Sequence, residues 1–237
     1  MAKTKLKIFE GIHREQMPEL VKAGYKPLTI AEIIQERLNN NLSFDEYYDS
    51  ASGIAYLEDK FKIIPYSQEL VKITSNTPLH NGGIKLTPKE YEAIPAKESS
   101  RKDMPLNQRL IQEQVLEHQG WLELAQDKEL LEKYTEQFFK QVKDRHNEDT
   151  AMGFYIRDAQ DVPNLRAFYL NGLVSRSDAD DWYALNDYYD ARLVGVREGA
   201  EGTAQKNYTP EEISKVLKEL GVSGLEEKIL EKLKEQR

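Results

Sequence analysis

The pattern between Leu165 and Arg197 constrains the fold of this chain more than any other feature. Two apolar, strand-like segments, Leu165-Arg-Ala-Phe-Tyr-Leu and Ala191-Arg-Leu-Val-Gly-Val-Arg, bracket a polar insert of residues 171–190. A long loop held by a sheet is a common place for binding residues, because the scaffold fixes the loop without extra ordering cost. The pattern therefore predicts a sheet that supports a large functional loop.

The composition of this region differs from that of the rest of the chain. The stretch from Asp161 to Arg197 contains no Lys, no Glu and no Gln, and Tyr, Asp, Asn, Ser and Arg take their place. Tyr offers a large contact area with little side-chain entropy, and Asn, Asp and Ser offer adaptable hydrogen bonds. An inert, solvated acidic loop would explain the Asp residues, but it would not explain the aromatic residues beside them. The composition favours a binding surface.

Upstream segments predict a mixture of helices and strands. Residues 15–40 have helical spacing, with a capping box formed by Thr29 and Glu32. Two strands joined by a polar turn are predicted over residues 53–66, and a third over 70–74. The turn Asn81-Gly-Gly83 follows. These segments predict an α+β domain.

The middle of the chain carries the strongest helical signal. Apolar residues at helical spacing predict helices over residues 105–144, with a break near Gly120. The run Met152-Gly-Phe-Tyr-Ile-Arg then predicts a further strand. The sequence divides into an N-terminal helical segment (1–44), a domain (45–200) and a C-terminal helical hairpin (205–237). The apolar stripe of residues 209–235 suits oligomerisation and folding back onto the body equally well.

The overall charge and composition exclude several classes of function. A net charge of −8 and a pI of 5.2 argue against a nucleic-acid groove, which needs clustered Lys and Arg. The absence of Cys removes disulfides, thiolate chemistry and Cys-ligated zinc. No apolar run is long enough to predict a membrane span or a signal peptide. A protein of this kind acting outside a cell would need another export route, such as a virion.

No motif for a metal, a cofactor or catalysis stands out. Asp178-x-Asp180-Asp181 begins like a calcium loop, but Tyr183 and Tyr189 stand where an EF-hand needs Gly and Glu. None of the histidines has a metal-ligand spacing or belongs to a nucleophile motif. They are predicted to be surface, capping or packing residues, at positions His13, His80, His118 and His146. We expect no cofactor, no metal and no catalytic residue.

The order of these features resembles the variable protein of an archaeal diversity-generating retroelement, from archaea or their viruses. The resemblance rests on Leu165-Arg-Ala-Phe-Tyr-Leu-Asn-Gly-Leu, the insert, and Ala191-Arg-Leu-Val-Gly-Val-Arg. Ser52-Gly-Ile-Ala-Tyr and Gly120-Trp-Leu-Glu-Leu-Ala add weaker support, so that residues 45–197 are covered. The resemblance implies a C-type lectin fold whose variable region, about 165–197, displays a ligand-binding face.

The resemblance also implies a cause for the missing residue types. In such systems a reverse transcriptase copies a template with errors at adenines, and randomised AAC and AAT codons cannot give Lys, Glu, Gln, Met or Trp. Trp182 lies outside this code, so it is expected to be a fixed scaffold residue together with Leu185 and Arg192. The expected diversified, ligand-facing positions are Tyr169, Asn171, Val174, Ser175, Arg176, Asp178, Asp180, Asp181, Tyr183, Asn186, Asp187, Tyr188, Tyr189 and Asp190.

The expected function is metal-independent attachment of a virion or cell surface to a protein or surface receptor. Because Trp182 is separated from Asn186-Asp187, the Trp-Asn-Asp tripeptide that helps to hold calcium in calcium-dependent lectins is not present. Two alternatives stay open: a structural virion protein with a passive loop, and a hydrolase that uses Asp residues of the insert. A strongly shifted carboxyl pKa in a cleft would favour the hydrolase.

Overall fold

A computed structural model describes residues 5–186 and 190–197, and these residues form one unit. The strands are β1 (Lys5–Gly11), β2 (Lys26–Pro27), β3 (Tyr48–Glu58), β4 (Lys60–Ile64), β5 (Leu79–His80), β6 (Gly83–Lys85), β7 (Glu98–Ser100), β8 (Phe154–Tyr155), β9 (Gln160–Leu170), β10 (Ala179–Asp180) and β11 (Ala191–Arg197). The helices are α1 (His13–Lys22), α2 (Ile30–Leu38), α3 (Gln68–Val71), α4 (Pro88–Ala93), α5 (Gln112–Glu117), α6 (Gln119–Ala125) and α7 (Lys128–His146), with a 3₁₀ turn at Leu173–Ser175.

One twisted sheet organises the described residues, with the strand order β1-β11-β3-β9-β10-β8. The strands β3 and β9 are antiparallel and lie at its centre. The strand β1 pairs with β11 along its whole length, from Lys5↔Arg197 to Gly11↔Ala191. The boundary predicted at residue 44 therefore does not separate two units, because the first strand of the chain completes the sheet beside the last described one.

Apolar residues cover both faces of the sheet. The larger cluster packs α2, α5, α6 and α7 against one face, with Trp121 and Phe168 near its centre. The smaller cluster packs α1, α3 and α4 against the other face, through residues such as Leu20 and Leu165. In β9, Leu165 and Phe168 face opposite clusters, as the period of two residues in a strand requires. The insert thus begins at the end of a strand that is buried on both sides.

Several predicted elements are present in the structure. Thr29 and Glu32 form the predicted capping box at the start of α2. The predicted strand pair is β3 and β4, and Asn81-Gly82 makes the turn between β5 and β6. His118 has the predicted packing role: it is 2% exposed, and its Nδ1 accepts a hydrogen bond from the Trp121 backbone N–H.

Other predictions of secondary structure were wrong. Residues 70–74 do not form a strand, because the Ser67 side chain accepts the Leu70 backbone N–H and starts helix α3 instead. By contrast, the helix break predicted near Gly120 is present at His118, which ends α5 and caps α6. Gly120 lies inside α6, where a Cβ atom would come within 2.7 Å of the Phe154 ring. Close packing, and not helix termination, explains this glycine.

Three further predictions have different outcomes. The predicted strand over residues 152–157 is limited to β8, because Met152 has a positive φ of 49° that interrupts the extended chain. No helix of the described part of the chain has the length and apolar character needed to cross a bilayer. The predicted C-terminal hairpin of residues 205–237 lies outside the described residues.

Candidate ligand-binding surface

The insert between β9 and β11 is integrated into the sheet and is not a simple loop. Its strand β10 pairs with the end of β9, through Ala179↔Leu170 and Asp180↔Tyr169, and also with β8. Within the insert, the Asn171 N–H donates to the Asp178 carbonyl at 2.9 Å. The insert therefore folds back on the strand that leads into it, and this fixes which of its side chains point inward.

A buried arginine holds the middle of the insert by its main chain. Arg166 is 1% exposed, and its Nε donates to the Asp181 carbonyl at 2.9 Å. Its second terminal nitrogen donates to the carbonyls of Trp182 (3.2 Å) and Tyr183 (2.9 Å), and the first donates to the Asn81 carbonyl. A guanidinium has five N–H donors in a rigid fork, so one side chain can hold three consecutive carbonyls.

A second buried arginine holds the start of the insert. Arg37 of α2 is fully buried, and its guanidinium donates to the carbonyls of Leu170 (3.4 Å) and Asn171 (3.1 Å). The other terminal nitrogen donates to the Tyr134 hydroxyl at 2.6 Å and to the Ser177 hydroxyl at 3.1 Å. Most of these acceptors on the insert are carbonyls, so both arginines mainly support its backbone, and the Ser177 hydroxyl and the Asp181 carboxylate are the side-chain partners.

The far end of the insert is also fixed through its backbone. The first turn of α1 contributes the Arg14 N–H, which donates to the Leu185 carbonyl at 2.9 Å. The Leu185 N–H in turn donates to the Gly82 carbonyl at 2.8 Å. Beyond the insert, the Arg192 N–H donates to the Asp49 carboxylate at 2.7 Å. Main-chain contacts therefore hold the insert at its start, middle and end.

Two of the expected ligand-facing acids point into the protein, so the expectation that they face a ligand is corrected. Asp181 is fully buried: it accepts from the Tyr56 hydroxyl at 2.7 Å and lies 3.4 Å from Arg166 Nε. Burial raises the pKa of the Asp181 carboxyl despite these partners. Asp178 is 5% exposed and accepts the Gly153 N–H at 2.7 Å. Burial raises its pKa to about 7.

Tyr169, Asp180 and Arg176 also differ from the expectation of free, solvent-facing side chains. Tyr169 is 4% exposed, with its ring centroid 4.7 Å from that of Tyr183. Asp180 is partly buried and accepts the Trp182 N–H at 2.7 Å, and burial raises its pKa to about 6. Arg176 forms a bidentate pair with Glu148, at 2.9 and 2.7 Å. The contacts of these three side chains hold the insert against the sheet and the neighbouring loop.

The other expected ligand-facing positions that the structure describes, and Trp182, are open to solvent to different degrees. Val174 is 75% exposed, Trp182 50% and Tyr183 40%, and Asn186 and Asp190 are also exposed. Asn171 and Ser175 are partly exposed. The expected positions Asp187, Tyr188 and Tyr189 lie outside the described residues. We call the five exposed residues the display surface: Val174, Trp182, Tyr183, Asn186 and Asp190.

The residues expected to be scaffold occupy two kinds of position. Leu185 is 2% exposed, and Arg192 is partly buried with an ion pair to Glu46. Trp182 belongs partly to the support of the insert and partly to the display surface. Its carbonyl accepts hydrogen bonds from Arg157 and Arg166, whereas its indole ring is half exposed with the Arg157 guanidinium 4.7 Å from the ring centroid. The main chain of Trp182 belongs to the support and its ring to the display surface.

Sequence reasoning missed the two arginines that support the insert. Each interrupts an otherwise apolar pattern: Arg166 lies in a buried strand, and Arg37 follows Ile33 and Ile34 on one helix face. A lone Arg in such a pattern is a usable signal, because arginine is almost never fully buried without partners. Its partners here are backbone carbonyls distant in sequence, which no residue pattern reveals.

The chemistry of this region is that of recognition surfaces. Among the described residues, no group of three or more His, Asp or Glu side chains could hold a metal ion. Of the acids with raised pKa values, Asp178 and Asp181 are buried and Asp180 is partly buried. What remains accessible is an aromatic pair with polar neighbours, an arrangement typical of protein-binding surfaces.

The central antiparallel strands, the flanking helices and the sheet-supported insert define a C-type lectin fold. The neighbour that supports this assignment was solved in work on the accommodation of massive sequence variation in Nanoarchaeota by the C-type lectin fold. This chain is similar to it with a TM-score of 0.63 and 16% identity, over 83% of this chain and 98% of that one. Neither a protein-family model nor a curated protein matches the sequence.

Replacing Arg166 tests the support of the insert. The variant Arg166→Met should lose about 3–5 kcal/mol of unfolding free energy, because it leaves the Asp181 charge and three insert carbonyls without their partner. Chemical denaturation measures this loss. The control is Arg145→Met, which removes an exposed ion pair with Asp45 and should cost less than about 1 kcal/mol. Equal losses in the two variants would contradict the role assigned to Arg166.

The raised pKa of Asp178 predicts a pH-dependent stability. Because the folded-state pKa of about 7 exceeds the ordinary value of 3.8, folding takes up a proton between these values. This contribution is complete below about pH 4 and is lost as the pH rises through 7. The variant Asp178→Asn keeps an acceptor for the Gly153 N–H without the charge. Between pH 5 and pH 8, its melting temperature should fall roughly 4–8 °C less than that of the wild type.

The matched control for this pH effect is Asp158→Asn, since the Asp158 side chain is 99% exposed. Its melting temperature should follow that of the wild type at every pH. A melting temperature of Asp178→Asn that followed that of the wild type between pH 5 and pH 8 would contradict the raised pKa assigned to the buried Asp178 carboxyl.

Proposed function

We propose that this protein is a ligand-binding variable protein, which displays exchangeable side chains on its C-type lectin scaffold to attach to a host or surface receptor. One observation carries the proposal: the backbone of the insert is held mainly by residues outside it. Arg37, Arg166 and the N–H of Arg14 are the main contributors. Such a surface can change its side chains without losing its shape.

The display surface has the composition of a binding site. Trp182 and Tyr183 are adjacent in sequence and half exposed, and large exposed aromatics favour contact with a partner. Arg157 lies over the Trp182 ring and donates to its carbonyl, which limits the freedom of this residue before binding. A side chain ordered in advance loses less entropy when it binds, so Trp182 is suited to act as an anchor.

We propose exchange of side chains at fewer positions than the sequence predicted. Among the described residues, Val174, Tyr183, Asn186 and Asp190 are exposed, and Asn171 and Ser175 are partly exposed. The side chains of Tyr169, Asp178 and Asp181 are buried, so we expect an exchange at these positions to disturb folding. We propose that Trp182 is a fixed anchor, surrounded by exchangeable positions.

We propose binding, and not catalysis, as the activity of this region. A hydrolase would need a carboxyl group that a substrate can reach. The acid with a pKa near neutrality, Asp178, is 5% exposed and engaged with the Gly153 N–H. Asp180 also has a raised pKa, but its carboxylate serves the Trp182 N–H and the Tyr169 hydroxyl. Both acids therefore have structural partners that account for their positions.

The DNA that flanks the gene provides the test of exchange. We expect a near-copy of the codons for residues 165–197 beside a gene for a reverse transcriptase, with differences confined to adenines of the copy. The differences should concentrate at codons of exposed residues and spare those of Trp182, Leu185 and Arg166. Differences spread evenly over all four bases, or concentrated at buried positions, would contradict the proposal.

Two adjacent residues test whether display positions tolerate change. Val174 is 75% exposed and Leu173 is 1% exposed. Val174→Asp should change the free energy of unfolding by no more than about 0.5 kcal/mol, as surface substitutions usually do. Leu173→Asp should cost more than about 3 kcal/mol, because it places an unpaired charge in the core. Urea denaturation measures both. A large loss for Val174→Asp would show that this position supports the fold.

A further inference from the structure

A small polar cavity lies beneath the end of the insert. Its wall includes His13 from α1, Asp49 from β3, and the rings of Tyr169 and Tyr183, and three alanines and a leucine complete it. Its volume is about 10 Å³, which suits the centre of one water molecule and nothing larger. The cavity lies next to the display surface and shares Tyr183 with it, whereas His13 and Asp49 are both buried.

His13 is the unusual group in this wall. It is 3% exposed, and neither of its ring nitrogens has a hydrogen-bond partner among the described residues. A neutral imidazole has one donor and one acceptor, and buried polar atoms in proteins are nearly always bonded. The nearest charged atom is Asp49 Oδ1, at 3.7 Å from His13 Nδ1, which is too long for a direct hydrogen bond.

We propose that this cavity is a binding site for a single water molecule, which links the His13 imidazole to Asp49 Oδ1. Water matches the site because it both donates and accepts: it can donate to the carboxylate and accept from the imidazole N–H. A cation would need more oxygen or nitrogen ligands than these two side chains offer. An apolar group would leave the polar atoms of both residues without partners.

The proposed water lies between two anchors of the insert. The residue after His13 donates its N–H to the Leu185 carbonyl, and the other oxygen of Asp49 accepts the Arg192 N–H. A water that joins His13 to Asp49 therefore ties α1 to β3 directly below these two contacts. Both side chains lie outside the insert, although the Tyr183 ring of the insert forms part of the cavity wall, and the proposed water site does not depend on the proposed function.

A high-resolution crystal structure of the whole protein tests the site directly. We expect one ordered water within hydrogen-bond distance of a His13 nitrogen and of Asp49 Oδ1. A cavity without a density peak, or a His13 ring bonded directly to Asp49, would overturn the proposal.

Two variants of His13 test the consequence for the insert. His13→Phe removes the polar atoms, whereas His13→Asn keeps a donor and an acceptor near the position of Nδ1. Hydrogen exchange of the Arg192 amide should become about tenfold faster in His13→Phe and change by less than about threefold in His13→Asn. Equal exchange in both variants and the wild type would count against the link. If His13→Phe does not fold, the crystal structure decides.

Discussion

The contact of one buried guanidinium with the backbone of residues 181–183 is the interaction on which the path of the insert depends. Arg166 donates to three consecutive carbonyls of the insert, and the Asp181 carboxylate lies 3.4 Å from its Nε. A buried charge is costly unless it is paired and hydrogen-bonded, and this site meets both conditions. The contact sets the path of the chain just where the exposed aromatic residues occur.

In this arrangement, the residues that hold the backbone of the insert differ from most of those whose side chains are exposed on it. Arg37 does at the start of the insert what Arg166 does in the middle, and the first turn of α1 holds the end. Side chains that point inward, such as Asp181 and Tyr169, complete the core beneath the surface. Among those that point outward, Val174 is 75% exposed, whereas the Tyr183 ring also packs against Tyr169. The proposed exchange of side chains relies on this support from residues outside the insert.

The sequence predicted the parts of the fold that depend on local patterns. The capping box of Thr29, the pair of strands around Lys60 and the strands that bracket the insert all arise from residues close to one another in the chain. Residues 70–74 show the limit, since a serine cap outside the apolar run made the segment helical. The pairing of β1 with β11 joins residues almost two hundred positions apart, and no local pattern reveals it.

The candidate site was predicted as a region but not as a set of side chains. Composition identified the insert, yet it treated each Asp as exposed. Whether an acid is buried depends on its partners: Asp181 meets Tyr56 from β3 and Arg166 from β9, which are distant in sequence. Trp182 was expected to be scaffold because it lies outside the code of the randomised codons, yet its ring is half exposed. Burial is a property of the assembled sheet.

Protease resistance of two surface-displayed libraries tests the central claim most directly. The first library randomises Val174, Tyr183, Asn186 and Asp190, and the second randomises Tyr169, Ser177, Asp178 and Asp181. If the backbone of the insert is held by residues outside it, most members of the first library should resist protease like the wild type, and few of the second should. Equal resistance in the two libraries, or a first library that is mostly cleaved, would contradict the account.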